Sequence, residues 1–292
     1  MTWAELEKSF NRAVLLSFSK KKMMLAFPAL ILCGILIVFC RALAYEASDW
    51  VAMSLAFLPI LLSSGILLAL GVLLIRLHDH EVKRHVVNME TLLAGSFDVI
   101  LGTSYLSIPS VLAYLCLWIL MGIFFLFKEI PMIGEFFSVV FAFFPFLLIF
   151  SSICLCLFNL GLLFFASPVC ALHPLKTFSL TRRVLGILQN HLFSSLVLFF
   201  VALAPIALVV GLLSLAALLT NGSFLIAERS LSVAFEWFFI MIPFCALLTP
   251  AVIFFFNFAA ESHLLLMPKV QPTGPKAPFP FGANASSGAE KR

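Results

Sequence analysis

Apolar residues run nearly unbroken for twenty or more positions at six places along the chain, and the polar stretches between them alternate short with long. At about 1.5 Å of rise per residue, about 20 apolar residues cross the ~30 Å hydrocarbon layer of a bilayer. The pattern predicts transmembrane helices over 24–44, 51–75, 104–127, 136–166, 192–219 and 233–259. The fourth run exceeds one upright crossing, which predicts tilt or a kink at Pro145.

The long polar stretches carry a helical period of their own. Over 3–19, Trp3, Leu6, Phe10, Ala13 and Val14 recur at three- and four-residue steps, while Glu7, Lys8, Asn11 and Arg12 take the opposite face. That is the pattern of a helix lying on a membrane surface, and similar helices are predicted over 85–101 and 172–191. The expected fold is all-α: a polytopic transmembrane helical bundle of six spans arranged as three helical hairpins, each preceded by an interfacial amphipathic helix, in a single domain over 1–267. From Pro268 the chain turns to Pro, Gly, Ala and Ser, so 268–292 reads as a disordered Pro-rich tail, a place where a protein partner could dock.

Composition agrees with a lipid environment. Hydrophobic residues make up 63% and charged residues 11% of the chain, against about 25% charged in soluble domains. The lysine triplet Lys20, Lys21 and Lys22 ahead of an apolar run ending in Ala42-Leu43-Ala44 raises a cleaved secretory signal. The run is longer than an ordinary signal core and Arg41 interrupts the cleavage pattern, so it is read as the first span. The cysteines form no CxxC pair and fall in or beside apolar runs, which predicts buried thiols and not a disulfide framework.

Charge placement sets the orientation. Apart from Arg41, Lys128 and Arg229, every Lys and Arg lies in the N-terminal segment, the two long connections or the tail. With an even number of spans these regions share one side, so the positive-inside rule predicts a multi-pass inner-membrane protein with both termini cytoplasmic. Lys8, Arg12, Lys20, Lys21, Lys22, Lys83, Arg84, Lys176, Arg182 and Arg183 then lie at headgroup depth as candidate contacts for anionic lipid, each bringing about 1 kcal/mol near an anionic leaflet. Nucleic acid is not an expected partner.

The second span of each hairpin carries a proline in an apolar setting, Pro59, Pro145 and Pro243, and these are predicted helix kinks. Asn159 and Asn257 each stand fourteen residues after the second and third of them, which predicts an internal repeat. Both asparagines are expected to hydrogen-bond between helices, a contact of about 0.6–2 kcal/mol in membranes.

No G-x-S-x-G, H-E-x-x-H or Walker lysine loop occurs, and the only aspartates are Asp49, Asp79 and Asp98. No catalytic residue, cofactor or metal site is expected. His78, Asp79, His80, Glu81 and His85 come near a zinc-ligand composition, but the histidines are read as solvated span-end groups. The run Phe165-Ala166-Ser167-Pro168-Val169-Cys170-Ala171-Leu172-His173-Pro174-Leu175-Lys176-Thr177-Phe178-Ser179-Leu180-Thr181-Arg182-Arg183 resembles the span exit, linker and basic interfacial helix of a group of uncharacterised bacterial six-span integral membrane proteins. That group is similar to the membrane domain of some glycerophosphodiester phosphodiesterases. The resemblance implies a bacterial inner-membrane protein and brings no catalytic residues with it. The functional expectation is a non-catalytic structural or lipid-interacting scaffold; the alternative is a transporter or permease for a small or lipid-like substrate, with Ser63, Ser64, Ser151, Ser152 and Asn159 lining a polar path.

Overall fold

The computed structural model describes residues 3–45, 47–83, 97–128, 130, 139, 142–172, 192–224 and 230–266. The helices are α1 (Trp3–Leu15), α2 (Lys20–Tyr45), α3 (Asp49–Val82), α4 (Phe97–Ser104), α5 (Ile108–Lys128), α6 (Phe144–Leu172), α7 (Leu192–Phe224) and α8 (Ser230–Leu266). Single 3-10 turns at Leu16–Phe18 and Tyr105–Ser107 join α1 towards α2 and α4 to α5. No strand occurs among the described residues. Six helical segments are long and apolar enough to cross a membrane.

The spans pack as hairpins, α2 with α3, α5 with α6 and α7 with α8. The third hairpin closes on the first, because α8 also packs on α1, α2, α3 and α6. Both α3 and α8 become buried on every side towards their C-termini, from Leu68 to Ile75 and from Ala251 to His263. That explains why α3 is apolar all round there, and α8 from Ala251 to Phe256. Close approach needs small residues: a Cβ on Gly34 would collide with Met241, and one on Gly71 with Phe256, while standing 2.9 Å from Ser167 Oγ. The large core runs along this half of the bundle, and a smaller one, Leu61, Tyr114, Trp118, Met121 and Leu148, joins α3, α5 and α6 towards the other end. There the Tyr114 hydroxyl donates to Ser54 O at 2.5 Å, and Trp50 stacks on Phe125. Large side chains such as Phe146, Phe150, Phe158, Phe200, Leu208 and Leu212 stay exposed, as a lipid-facing surface requires.

Several boundaries differ from the sequence reading. In the fourth span Val139 is helical, a turn stands at 142–143, and α6 begins at Phe144, so Pro145 sits in the first turn of α6, where its missing N–H costs nothing. The same helix passes through Pro168 to Leu172 where a stop at Ser167-Pro168 was expected. Pro59 and Pro243 do lie inside α3 and α8. Pro145 thus stands in the first turn of its helix and Pro243 within the body of its own. In the third span Pro109 has no N–H for Tyr105 O; Ile108 N–H bonds that carbonyl instead, producing the 3-10 step.

Helix α1 also departs from expectation. Its apolar face, with Leu6, Phe10 and Val14, is spent on α8 and not on lipid, and Phe10 meets Phe254 and Phe258 edge-on with ring centroids 5.2 and 6.1 Å apart. The segments 85–96 and 172–191 of the other two interfacial helices lie outside the described residues except for Leu172, which ends α6, and so does the tail.

Candidate functional site, a buried ionic cluster

Where α2 begins and α3 and α8 end, the bundle buries a set of charged side chains. On α2, Lys22, Ala26, Leu30 and Cys33 fall on one face, so the first of them enters the interior in register with an apolar stripe. Lys22 is 0% exposed. Its Nζ lies 2.8 Å from Glu81 Oε2 and 3.2 Å from His78 Nδ1, both on α3, and donates to Asn257 Oδ1 on α8 at 3.0 Å.

The contacts continue in both directions. His78 Nε2 lies 3.1 Å from Glu261 Oε1, and Arg12 Nη1 of α1 donates to the same oxygen at 3.3 Å. On the other side the Ser19 hydroxyl donates to Glu81 Oε1 at 2.9 Å. Asn257 Nδ2 donates to Ala13 O at 3.4 Å, fixing the end of α1. An ammonium has no acceptor, so His78 Nδ1 must accept from Lys22, which leaves the ring proton on Nε2 to be donated to Glu261. This fixes a neutral imidazole of one tautomer. Two cations, Lys22 and Arg12, then balance two carboxylates, Glu81 and Glu261, which is what allows the set to be buried.

The arrangement can fasten four helices together, and its solvent-reaching members, Arg12 and Glu81, lie at one end of the bundle. It therefore does not by itself connect the two sides of a membrane. Among the described residues no group of three or more His, Cys, Asp or Glu side chains could hold a metal ion. The space between His78 and Glu81 is filled by the Lys22 ammonium.

The structure divides the basic residues picked out in sequence. Lys8, Lys20 and Lys21 are exposed; Lys83 is exposed and bonded to Asp79 Oδ2 at 2.6 Å; Arg12 is half-buried on Glu261. Lys22 points inward and cannot meet a headgroup, because its neighbours require the ammonium inside. Arg84, Lys176, Arg182 and Arg183 lie outside the described residues. His78 is buried, not solvated as expected. Asn257 bonds two other helices, whereas buried Asn159 has no partner for its Oδ1, so the two asparagines are not equivalent. Ser64, Ser151 and Ser152 donate to carbonyls of their own helices, those of Leu61, Leu147 and Leu148.

Glu261 was missed in sequence. Its signal was its place one turn after Asn257, which puts a carboxylate and an amide on the same face of an otherwise apolar helix. Taken together, fold and site define a helical multi-pass membrane protein with an ionic clamp at one end of its bundle. No protein-family model, curated protein or solved structure matches the chain.

Proposed function

We propose that the protein is a non-catalytic, lipid-interacting scaffold of a bacterial inner membrane, with both termini cytoplasmic and its basic end against anionic headgroups. The observation that carries this reading is the corner between α1 and α2. Lys20 and Lys21 are exposed there with no carboxylate among the described residues paired to them, and Leu15, Phe18 and Met24 beside them are 77%, 66% and 79% exposed. Cations next to bare apolar side chains suit the boundary between headgroups and acyl chains. Lys22, one residue further, serves the interior, so the corner is held rigidly to the bundle while its two outer lysines remain available.

The kinship with six-span bacterial membrane proteins, resting on 165–183, belongs to the same reading and supplies no activity. The competing reading, a permease for a small or lipid-like substrate, draws on the buried cluster, since ionisable groups within span-forming helices often mark pathways. It is the weaker of the two because the cluster's contacts stay at one end of the bundle.

Phospholipid co-purifying with the detergent-solubilised protein tests the proposal. Lys20→Gln/Lys21→Gln is expected to lose most bound phosphatidylglycerol and cardiolipin at an unchanged unfolding temperature, whereas Lys83→Gln, whose partner is Asp79, loses little. Arg182→Gln/Arg183→Gln probes the third basic segment in the same way. Unchanged anionic lipid in all of these folded variants would reduce the basic residues to orientation signals.

A further inference from the structure

A shallow cleft lies between α6 and α8 near the clustered end, lined by Phe164, Phe165 and Pro168 on α6 and by Ala259, Ser262, His263 and Leu266 on α8. Hydroxyls of Ser17, Ser64, Ser152, Thr103 and Thr249 all donate back to carbonyls of their own helices. The buried hydroxyls of Ser63, Ser167, Ser195 and Ser262 do not, and of these four Ser262, 1% exposed, is the one that lines the cleft. Opposite it, Pro168 has no N–H to give to the carbonyl four residues earlier, which is that of Phe164, another lining residue. In a membrane such a freed carbonyl is satisfied by a neighbouring hydroxyl or another donor, because hydrocarbon offers none.

One apolar cleft thus brings together a hydroxyl in need of a partner and a carbonyl in need of a donor. A single ligand hydroxyl answers both, accepting from Ser262 and donating to Phe164 O, while its apolar body lies along Phe164, Phe165 and Leu266. We propose that this cleft binds the headgroup hydroxyl of a membrane phospholipid, giving the protein a preference for glycerol-type headgroups over headgroups of equal charge without a hydroxyl. The lipid source follows from the setting, since α6 and α8 are both span-length apolar helices and most of the cleft lining is apolar. The inference rests on the reading of the protein as lipid-binding and adds to it the chemistry that selects the lipid.

Dioleoyl phosphatidylglycerol and dioleoyl phosphatidylethanol carry the same single negative charge and chains, and differ in the hydroxyls. Competition between them for the full-length protein, read by native mass spectrometry, is expected to favour phosphatidylglycerol about tenfold, the worth of one good hydrogen bond. Ser262→Ala is expected to abolish the preference while both lipids still bind through the basic corner. Ala259→Leu, which fills the cleft, is expected to do the same where it elutes as a monodisperse species. Equal binding of the two lipids by the native protein, or a preference that survives Ser262→Ala, overturns the inference and leaves a trapped water as the hydroxyl's partner. Binding of neither lipid overturns the broader lipid-binding reading instead.

Discussion

Lys22 shows how one side chain can hold several elements. Its ammonium satisfies Glu81, His78 and Asn257 at once, so truncating it strands a carboxylate and two polar groups in the interior. Breaking a buried ion pair from one side typically costs about 3–5 kcal/mol, whereas exchanging the whole pair for apolar residues is often near neutral. Lys22→Met is therefore expected to lower the unfolding temperature in detergent substantially, and Lys22→Met/Glu81→Leu to recover much of the loss. Equal destabilisation by the single and double variants would show that the ammonium is not held chiefly by Glu81. The triplet Lys20, Lys21 and Lys22 reads in sequence as one basic set, yet successive helical residues point about 100° apart, so a helix half-covered by neighbours must turn some of them inward. The apolar stripe of Ala26, Leu30 and Cys33 made the inward member legible. Its partners were not, because they come from positions 56 to 235 residues away.

At the scale of elements, helix existence followed from apolar run length, but ends and bends did not. Run length fixes where lipid can be crossed, while backbone chemistry fixes where a helix starts, and so Pro145 opens α6 and Pro109 breaks the third span into α4 and α5. Helix–helix contact points were also hidden in sequence, since a glycine shows its role only when its neighbour is known. Gly71→Ala pushes a methyl into Phe256 and Ser167 where α3, α6 and α8 meet, and overpacking of this kind costs about 1–3 kcal/mol. Gly161→Ala and Gly211→Ala meet no atom within 4 Å and gain helix propensity of about 1 kcal/mol. Thermal unfolding of the three variants is expected to show a loss for the first and no loss for the other two. Equal behaviour of all three would mean that the α3–α8 junction tolerates a wider separation.

For the whole molecule, the division between a tightly buried end and a lipid-exposed remainder places ions, exposed lysines and the α6–α8 cleft together. The two central helices, α3 with 34 residues and α8 with 37, run about 50 Å or more at 1.5 Å per residue, well beyond the ~30 Å of hydrocarbon. Their C-terminal ends can thus carry charge past the apolar layer, and the sequence pattern of basic residues is the ground for our proposal that this side faces the cytoplasm. Everything proposed for lipid recognition depends on this sidedness. It is read most directly by labelling single cysteines, in a variant whose native cysteines are replaced, with a membrane-impermeant maleimide in intact cells. Cysteines at Ser48 and Ser223 are expected to label from outside, and one at Ser286 only after the membrane is opened; labelling of Ser286 in sealed cells would contradict the account.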